Sequence, residues 1–309
     1  MSGSSTMKSN NLLMLGGIAI VIIIVAVAVL LLLSQGKSSN QNVNGNNGNN
    51  GSGSGTNAGS GSSTDAIAQA FSSNPTLTGA QLANTIAPYI KNAGLTNVSY
   101  YGTITQHTVF SSTQTNINGN FTEDYLRKNN TARNDMLVSQ KLVVTNPNYR
   151  QMINSTVSAI VVEAANGIVY GCSEPINSTK PSMNRYTCFK NPASNTNPLF
   201  NYSNPFGSTK SITYRLVGKG SVIGIPCDKL VGSGVVLASG NSSFQAPPIN
   251  VNVTTCVSFK YYVWLNYTTK FMSSASSTVS NTTVVASATS LNRNVPANLT
   301  ALPPNVTWG

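Results

Sequence analysis

Charge is scarce in this chain. Lys, Arg, Asp and Glu make up 8% of its 309 residues, against roughly 25% in an ordinary soluble domain. Only seven residues are acidic and one, His107, is a histidine. A single histidine leaves Ser-His-Asp and Cys-His catalysis hanging on one residue in a Thr-rich segment, where a hydrogen-bonded strand histidine is the simpler reading. The four cysteines, Cys172, Cys188, Cys227 and Cys256, show no C-x-x-C spacing, which argues against zinc. Glu123-Asp124 and the isolated Asp135, Glu163, Glu174 and Asp228 form no spaced pair suited to glycoside hydrolysis or calcium. Ser34-Gln35-Gly36-Lys37 matches S-x-x-K only inside a linker, and Gly218 and Gly220 precede no helix, so neither makes a catalytic or phosphate-binding motif. The reading is a non-enzyme with no cofactor and no metal.

Acids are also outnumbered, 7 to 18, for a net charge of +11. The basic residues are scattered mostly singly from Lys91 to Arg293, with no patch interleaved with aromatics, so nucleic acid is not the expected partner. A diffuse positive charge suits an anionic lipid or glycan layer.

What the chain does have is one long apolar run, Leu12 to Leu33, without charge or proline. At a helical rise of about 1.5 Å its length is roughly 33 Å, enough to cross a hydrocarbon core once. The run is too long for the apolar part of a cleavable signal peptide and ends without an A-x-A site, so it reads as a retained signal anchor. A prepilin leader fits less well, because Met14-Leu15 rather than a basic residue precede Gly16-Gly17. Residues 1–11 are expected in the cytoplasm, 12–33 in the membrane and the remainder outside. Residues 34–64 are almost wholly Gly, Ser and Asn and offer no apolar surface to offset chain entropy. They form a tether with a typical span of roughly 30 Å, and 65–309 form the extracytoplasmic β-rich domain.

Two features of that domain support the topology. An even number of cysteines suggests two disulfides in an oxidising space, with sequential pairing the simplest of three connectivities. The same region holds twelve N-x-S/T glycosylation candidates, at Asn97, Asn120, Asn129, Asn154, Asn177, Asn201, Asn241, Asn252, Asn266, Asn281, Asn298 and Asn305.

Local pattern then sets the elements. Ser63 or Thr64 can cap a helix over DAIAQAF, and Thr78 one over GAQLANTIAPYIKNAG, with Leu82, Ile86 and Ile90 at helical spacing, Pro88 expected to kink or split it and Gly94 to stop it. From Asn97 the period becomes two. SYYGTITQHTVF, INGNFTEDYLR and ARNDMLVSQKLVV read as strands, and Asn166-Gly167 reads as a hairpin turn between two β-branched runs. RYTCF and SITYRLVGK follow, with a turn expected at Lys219-Gly220 before SVIGIPCDKLV. In SFKYYVWLNYT, Phe259, Tyr261, Val263, Leu265 and Tyr267 share one face and sequon Asn266 lies on the other, and TTVVASATSL closes the series. The expected class is α+β: an N-terminal transmembrane helix, then two short helices packed on a curved antiparallel sheet.

The succession GIVYGC, RYTCFK, YRLVGKGSVIGIPCDKL, YYVWLNYTT and NVPANLTALPP, from Ala66 to Pro304, resembles the LolA/LppX superfamily of lipoprotein and lipid carriers, in an archaeal, membrane-anchored form. The resemblance implies a half-barrel whose apolar face is plugged by the helices and holds an acyl chain, with a lipid or lipoprotein as partner. No catalytic residue carries over. A permanent anchor departs from the soluble carriers and implies holding, handing over or sensing a lipid rather than ferrying it. The competing reading is a structural or adhesive envelope glycoprotein, pilin- or S-layer-associated, with no ligand.

Overall fold

A computed structural model describes residues 65–128, 131–164, 168–176, 185–191, 204–206, 209, 211–236, 248–275, 278–294, 298–304 and 306–308. Within them lie two helices and thirteen strands, all thirteen in one sheet. The α+β expectation is overturned by that count: helix is confined to α1 (Ala66–Ser73) and α2 (Gly79–Asn92), and the molecule is a large sheet with a two-helix attachment. The physical reason is strand length. Five strands run for 15 or 16 residues, so period-two sequence that the expected half-barrel would have broken into shorter pieces is continuous. No helix among the described residues is long and apolar enough to cross a membrane; Leu12 to Leu33, where the span was expected, lies outside them.

In chain order the strands are β1 (Leu77–Thr78), β2 (Thr96–Phe110), β3 (Thr113–Lys128), β4 (Thr131–Asn146), β5 (Tyr149–Glu163), β6 (Val169–Ile176), β7 (Thr187–Asn191), β8 (Thr213–Val222), β9 (Ile225–Val236), β10 (Ile249–Val257), β11 (Trp264–Ala275), β12 (Thr278–Asn292) and β13 (Thr307–Trp308). Their order across the sheet is β1-β8-β9-β10-β11-β12-β2-β3-β4-β5-β6-β7-β13. Two antiparallel meanders, β2 to β7 and β8 to β12, are therefore joined along a seam where β12 pairs with β2, from Thr278↔Phe110 to Asn292↔Asn97. Only β13 runs parallel to its neighbour, β7.

The helices form for the expected reasons, with two differences. Thr78 caps α2 in a capping box completed by Gln81, and Gly94, at φ 71°, follows its end. Asp65, rather than Ser63 or Thr64, caps α1 by accepting from the Ala68 amide at 2.9 Å. Pro88 does not split α2; Ile86 and Ile90, buried on either side of it, hold both turns against the sheet. Helices and sheet share one core of Ile67, Phe71, Leu82 and Ile86 with Tyr214, Leu230, Val251 and Phe206, so the helices cover the inner face of β8 to β11, with Val284 of β12 at its border.

Alternation sorts side chains into a largely buried inner face and an outer face that is polar except for a buried cluster of Ile160, Val162, Cys172 and Cys188. Three glycines on paired strands are each overlaid by the aromatic ring of their direct register partner: Gly102 by Phe121, Gly171 by Phe189 and Gly232 by Tyr214. A Cβ on Gly102 would stand 2.3 Å from the Phe121 ring and 2.5 Å from the Val285 carbonyl oxygen, so the strand approaches its neighbours as only glycine allows. The β5–β6 pairing, Glu163↔Val169, closes the expected hairpin with the Ala164 amide donating to Ile168 O at 2.9 Å; Asn166 and Gly167 themselves lie outside the described residues.

Two expected boundaries move. Strand β8 runs straight through Lys219-Gly220, and the turn falls at Ile223-Gly224, with φ of 48° and 75°. The left-handed pair matches a two-residue turn of the primed kind, which tolerates a β-branched residue poorly. Ile223→Asn is expected to raise stability by about 0.5 to 1 kcal/mol, read as a higher urea midpoint with an unchanged slope. Second, 258–263 is a turn rather than the first half of a strand: Tyr262 sits at φ 51° and its amide donates to Ser258 O at 2.7 Å. Leu265 and Tyr267 do share the inner face of β11, and Asn266 the outer.

Candidate functional site

The inner face of β2 to β5 is the part of the sheet that the helices leave aside. Register places Tyr100↔Glu123↔Met136↔Ala159 in one row and Gly102↔Phe121↔Val138↔Val157 in the next. Farther along the strands Ile117, Leu142 and Val144, with Ile153 beside them, form a separate apolar cluster that contains no other described apolar residue. The helix-side core, a middle cluster that holds Tyr100, Phe121, Met136 and Ala159, and the distal cluster are therefore three apolar bodies on one face. Gly102, Gly119, Ala159 and Ala286 lie on this face as well, and the Phe121 ring fills the space over Gly102.

At the other end of the strands the same face turns polar. Glu123 is buried and accepts from Asn134 Nδ2 at 2.8 Å and from the Tyr267 hydroxyl at 3.0 Å. Burial pushes its carboxyl above the ordinary range, against the pull of those two hydrogen bonds. Burial likewise drives the Tyr100 and Tyr267 hydroxyls far up, and Tyr100 donates to Trp264 O at 2.5 Å. Tyr125, next along β3, is pushed up to about 12 by burial, with Arg127 opposing and Glu163 adding to the shift. Arg127, wholly buried, donates through Nη1 to Tyr262 O at 2.9 Å and through Nη2 to Tyr261 O at 2.5 Å and to Thr96 Oγ1 at 3.4 Å. This face thus runs from buried polar groups, through aromatic and small residues, to an aliphatic end: the gradient of an amphiphile.

A second polar group lies at Asp65, the first of the described residues. Lys219 Nζ bridges Asp65 and the buried Asp228, the latter at 3.2 Å. Burial and the neighbouring Asp65 carboxylate together push Asp228 up to about 7, with Lys219 opposing. Burial works to raise Asp65 as well, but hydrogen bonds from Asp228, the Ala68 amide and Lys219 outweigh it and hold Asp65 below its usual value. Folded Asp228 therefore keeps a proton that the unfolded chain gives up near pH 3.8. The native state binds more protons between about pH 4 and 7, so stability falls as pH rises through that window. Discounted for the exposed Lys219, the loss is on the order of 2 kcal/mol. Asp228→Asn is expected to flatten that part of a plot of denaturation midpoint against pH.

The cysteines pair sequentially. Cys172 faces Cys188 across β6 and β7, Cα to Cα 4.1 Å, and Cys227 bonds Cys256 between β9 and β10, 5.4 Å. His107 lies exposed on the outer face with Nδ1 at 2.7 Å from Oδ1 of its strand partner Asn116. No group of three metal-ligating side chains occurs among the described residues. The sequons of the described strands, Asn97, Asn120, Asn154, Asn252, Asn266 and Asn281, all fall on the outer face, and Asn298 is exposed. Asn97 differs in that its Nδ2 donates to Asn294 O at 3.1 Å. Asn129, Asn177, Asn201, Asn241 and Asn305 lie outside the described residues. Sequence spacing missed Arg127, Glu123 and the Asp65–Asp228 pair, because their partners are 9 to 163 positions away on other strands or the helix cap; the one local signal was an acid, Glu123, on the apolar phase of an alternating strand.

No protein-family model matches the chain, and no curated protein matches it. Similar solved structures include a DUF1329 family protein from Desulfovibrio piger (TM-score 0.20, 11% identity, 72% of this chain and 96% of that one). Others are the translocator domain of autotransporter NalP from Neisseria meningitidis (0.25, 8%, 73% and 98%) and an outer membrane lipoprotein-sorting protein domain from Vibrio parahaemolyticus (0.18, 9%, 72% and 94%). At these TM-scores the superpositions match too little backbone to decide a fold family or a ligand.

Proposed function

We propose that the chain is a membrane-anchored binding module, held outside the cell by Leu12 to Leu33, that keeps a lipid or other amphiphile along the inner face of β2 to β5. The observation that carries this reading is the division of that face. The helices occupy the half formed by β8 to β11, and a distal aliphatic cluster stands by itself across from buried polar groups on the same strands. Ile117, Leu142 and Val144 are already buried, so an acyl chain would take the place of the groups that cover them, with polar atoms toward Tyr100 and Glu123. Burying a chain of ten methylenes there would contribute about 8 kcal/mol before the cost of association.

Native mass spectrometry of the full chain, extracted from its own membranes in mild detergent, tests it. An adduct of lipid mass that disappears in Leu142→Glu is the expected result. A bare chain, with Leu142→Glu unfolding it by loss of side-chain packing alone, would sink the reading.

The envelope-glycoprotein reading draws on one specific observation, the placement of every described strand sequon on the outer face. It predicts self-association into an ordered layer, and a strictly monomeric chain at high concentration by light scattering would count against it.

A further inference from the structure

The outer face of the same four strands carries an open groove of about 680 Å³, lined by Tyr101 on β2, Asn118 and Asn120 on β3, Lys141 on β4 and Asn154 on β5, with hydroxyls between them. The register explains the grouping. Thr103, Asn120, Ser139 and Thr156 form one continuous row, and Thr105, Asn118, Lys141 and Asn154 the next. Ser139 and Thr156 hydroxyls meet at 3.2 Å inside it. Lys141 is the one charged residue among the lining residues, which include no carboxylate. At its edge Tyr101 presents a ring that is half exposed. The volume lies within the range of small-molecule sites.

From this chemistry we infer that the groove is a saccharide site. Amides and hydroxyls in paired rows can donate to and accept from sugar hydroxyls without the desolvation cost that buried charges would carry. The Tyr101 ring offers a flat apolar surface for the carbon-hydrogen face of a pyranose, with a hydroxyl at its tip. Lys141 can pair the carboxylate of a uronic acid as a charge-assisted hydrogen bond. Ile176, which follows Thr156 in its row, and the Tyr101 ring are the large apolar side chains of the lining, too few to enclose a wholly apolar ligand, and an anion richer in charge would find one cation. This site is independent of the amphiphile on the inner face.

Two sources can supply such a saccharide. Asn120 and Asn154 are both sequon asparagines and both open into the groove, so an N-glycan of the chain itself can lie in it; a saccharide of the envelope is the other source. Glycopeptide mass mapping of the full chain from its native host separates them, followed by titration. If either asparagine carries a glycan, Tyr101→Ala should lower Tm in the wild type and have no effect in the Asn120→Gln, Asn154→Gln variant. If neither is modified, the full chain in detergent should bind trigalacturonic acid saturably and more tightly than maltotriose. Tyr101→Ala should then weaken binding about tenfold, the equivalent of about 1.4 kcal/mol, and Lys141→Ala should erase the preference for the acidic sugar. Tyr101 is exposed enough for its alanine variant to fold. A glycan whose chain ignores Tyr101→Ala, or unmodified asparagines with no saturable binding of either sugar at millimolar concentration, would overturn the inference.

Discussion

Arg127→Met is expected to destabilise the chain by about 3 to 5 kcal/mol, the range measured when one partner of a buried charged group is removed. Arg127 is wholly buried at the end of β3, and its planar fork holds two consecutive carbonyls, those of Tyr261 and Tyr262, 134 and 135 positions along the chain. Those carbonyls belong to the turn in which Tyr262 sits left-handed, so the guanidinium fastens a strained turn of the second meander to the first. Methionine would fill much of the volume but leave both carbonyls without these donors. Arg127→Lys should recover little, since an ammonium cannot reach two carbonyls in the geometry of a fork. Urea unfolding of the full chain in detergent measures both variants. A loss below about 1 kcal/mol for Arg127→Met would show that the turn is held by packing of Tyr262 against Tyr89 instead.

The second large effect belongs to the disulfides. Cys227–Cys256 spans 29 positions and Cys172–Cys188 spans 16. Loop-closure entropy assigns each about 3 to 4 kcal/mol, the longer loop the more. The paired substitution Cys227→Ser, Cys256→Ser removes a crosslink inside the body that also holds Val98, Phe121 and Leu265. It is expected to exceed the effect of Cys172→Ser, Cys188→Ser, which ties two strands near the far edge of the sheet. Thermal unfolding with and without reductant checks the order: equal shifts for both pairs would mean that native-state packing, rather than loop length, sets the contribution.

What could be read from the residues was whatever depends on near neighbours. The cap at Thr78, the alternation through β2 to β4 and the pairing of cysteines on adjacent strands each involve groups that local pattern or strand order brings together. The errors share an opposite cause. Phe259, Tyr261 and Val263 alternate like a strand, yet the chain turns there because Arg127 takes the carbonyls, a competitor invisible in the segment itself. The turn expected at Lys219-Gly220 belongs to Ile223-Gly224, since Gly218 serves an irregularity in the ladder between Leu216 and Gly218 and not a reversal. The candidate site was legible as far as an apolar inner face. Its polar end was not, because Glu123, Asn134 and Tyr267 come from three strands whose order across the sheet no single segment announces.

That order also dictates when the molecule can fold. Strand β2, near the start of the domain, lies at the middle of the sheet and is completed on one side by β12, whose pairing residues sit up to 195 positions later, as in Asn97 with Asn292. The hairpins from β2 to β6 can close as they emerge, but until β12 arrives a 15-residue central strand presents an open row of amides and carbonyls. Seams of such long sequence separation close slowly. During synthesis the vulnerable species is therefore a half-sheet with a sticky edge. Truncations that remove β12 should be selected against by aggregation before any loss of binding is felt.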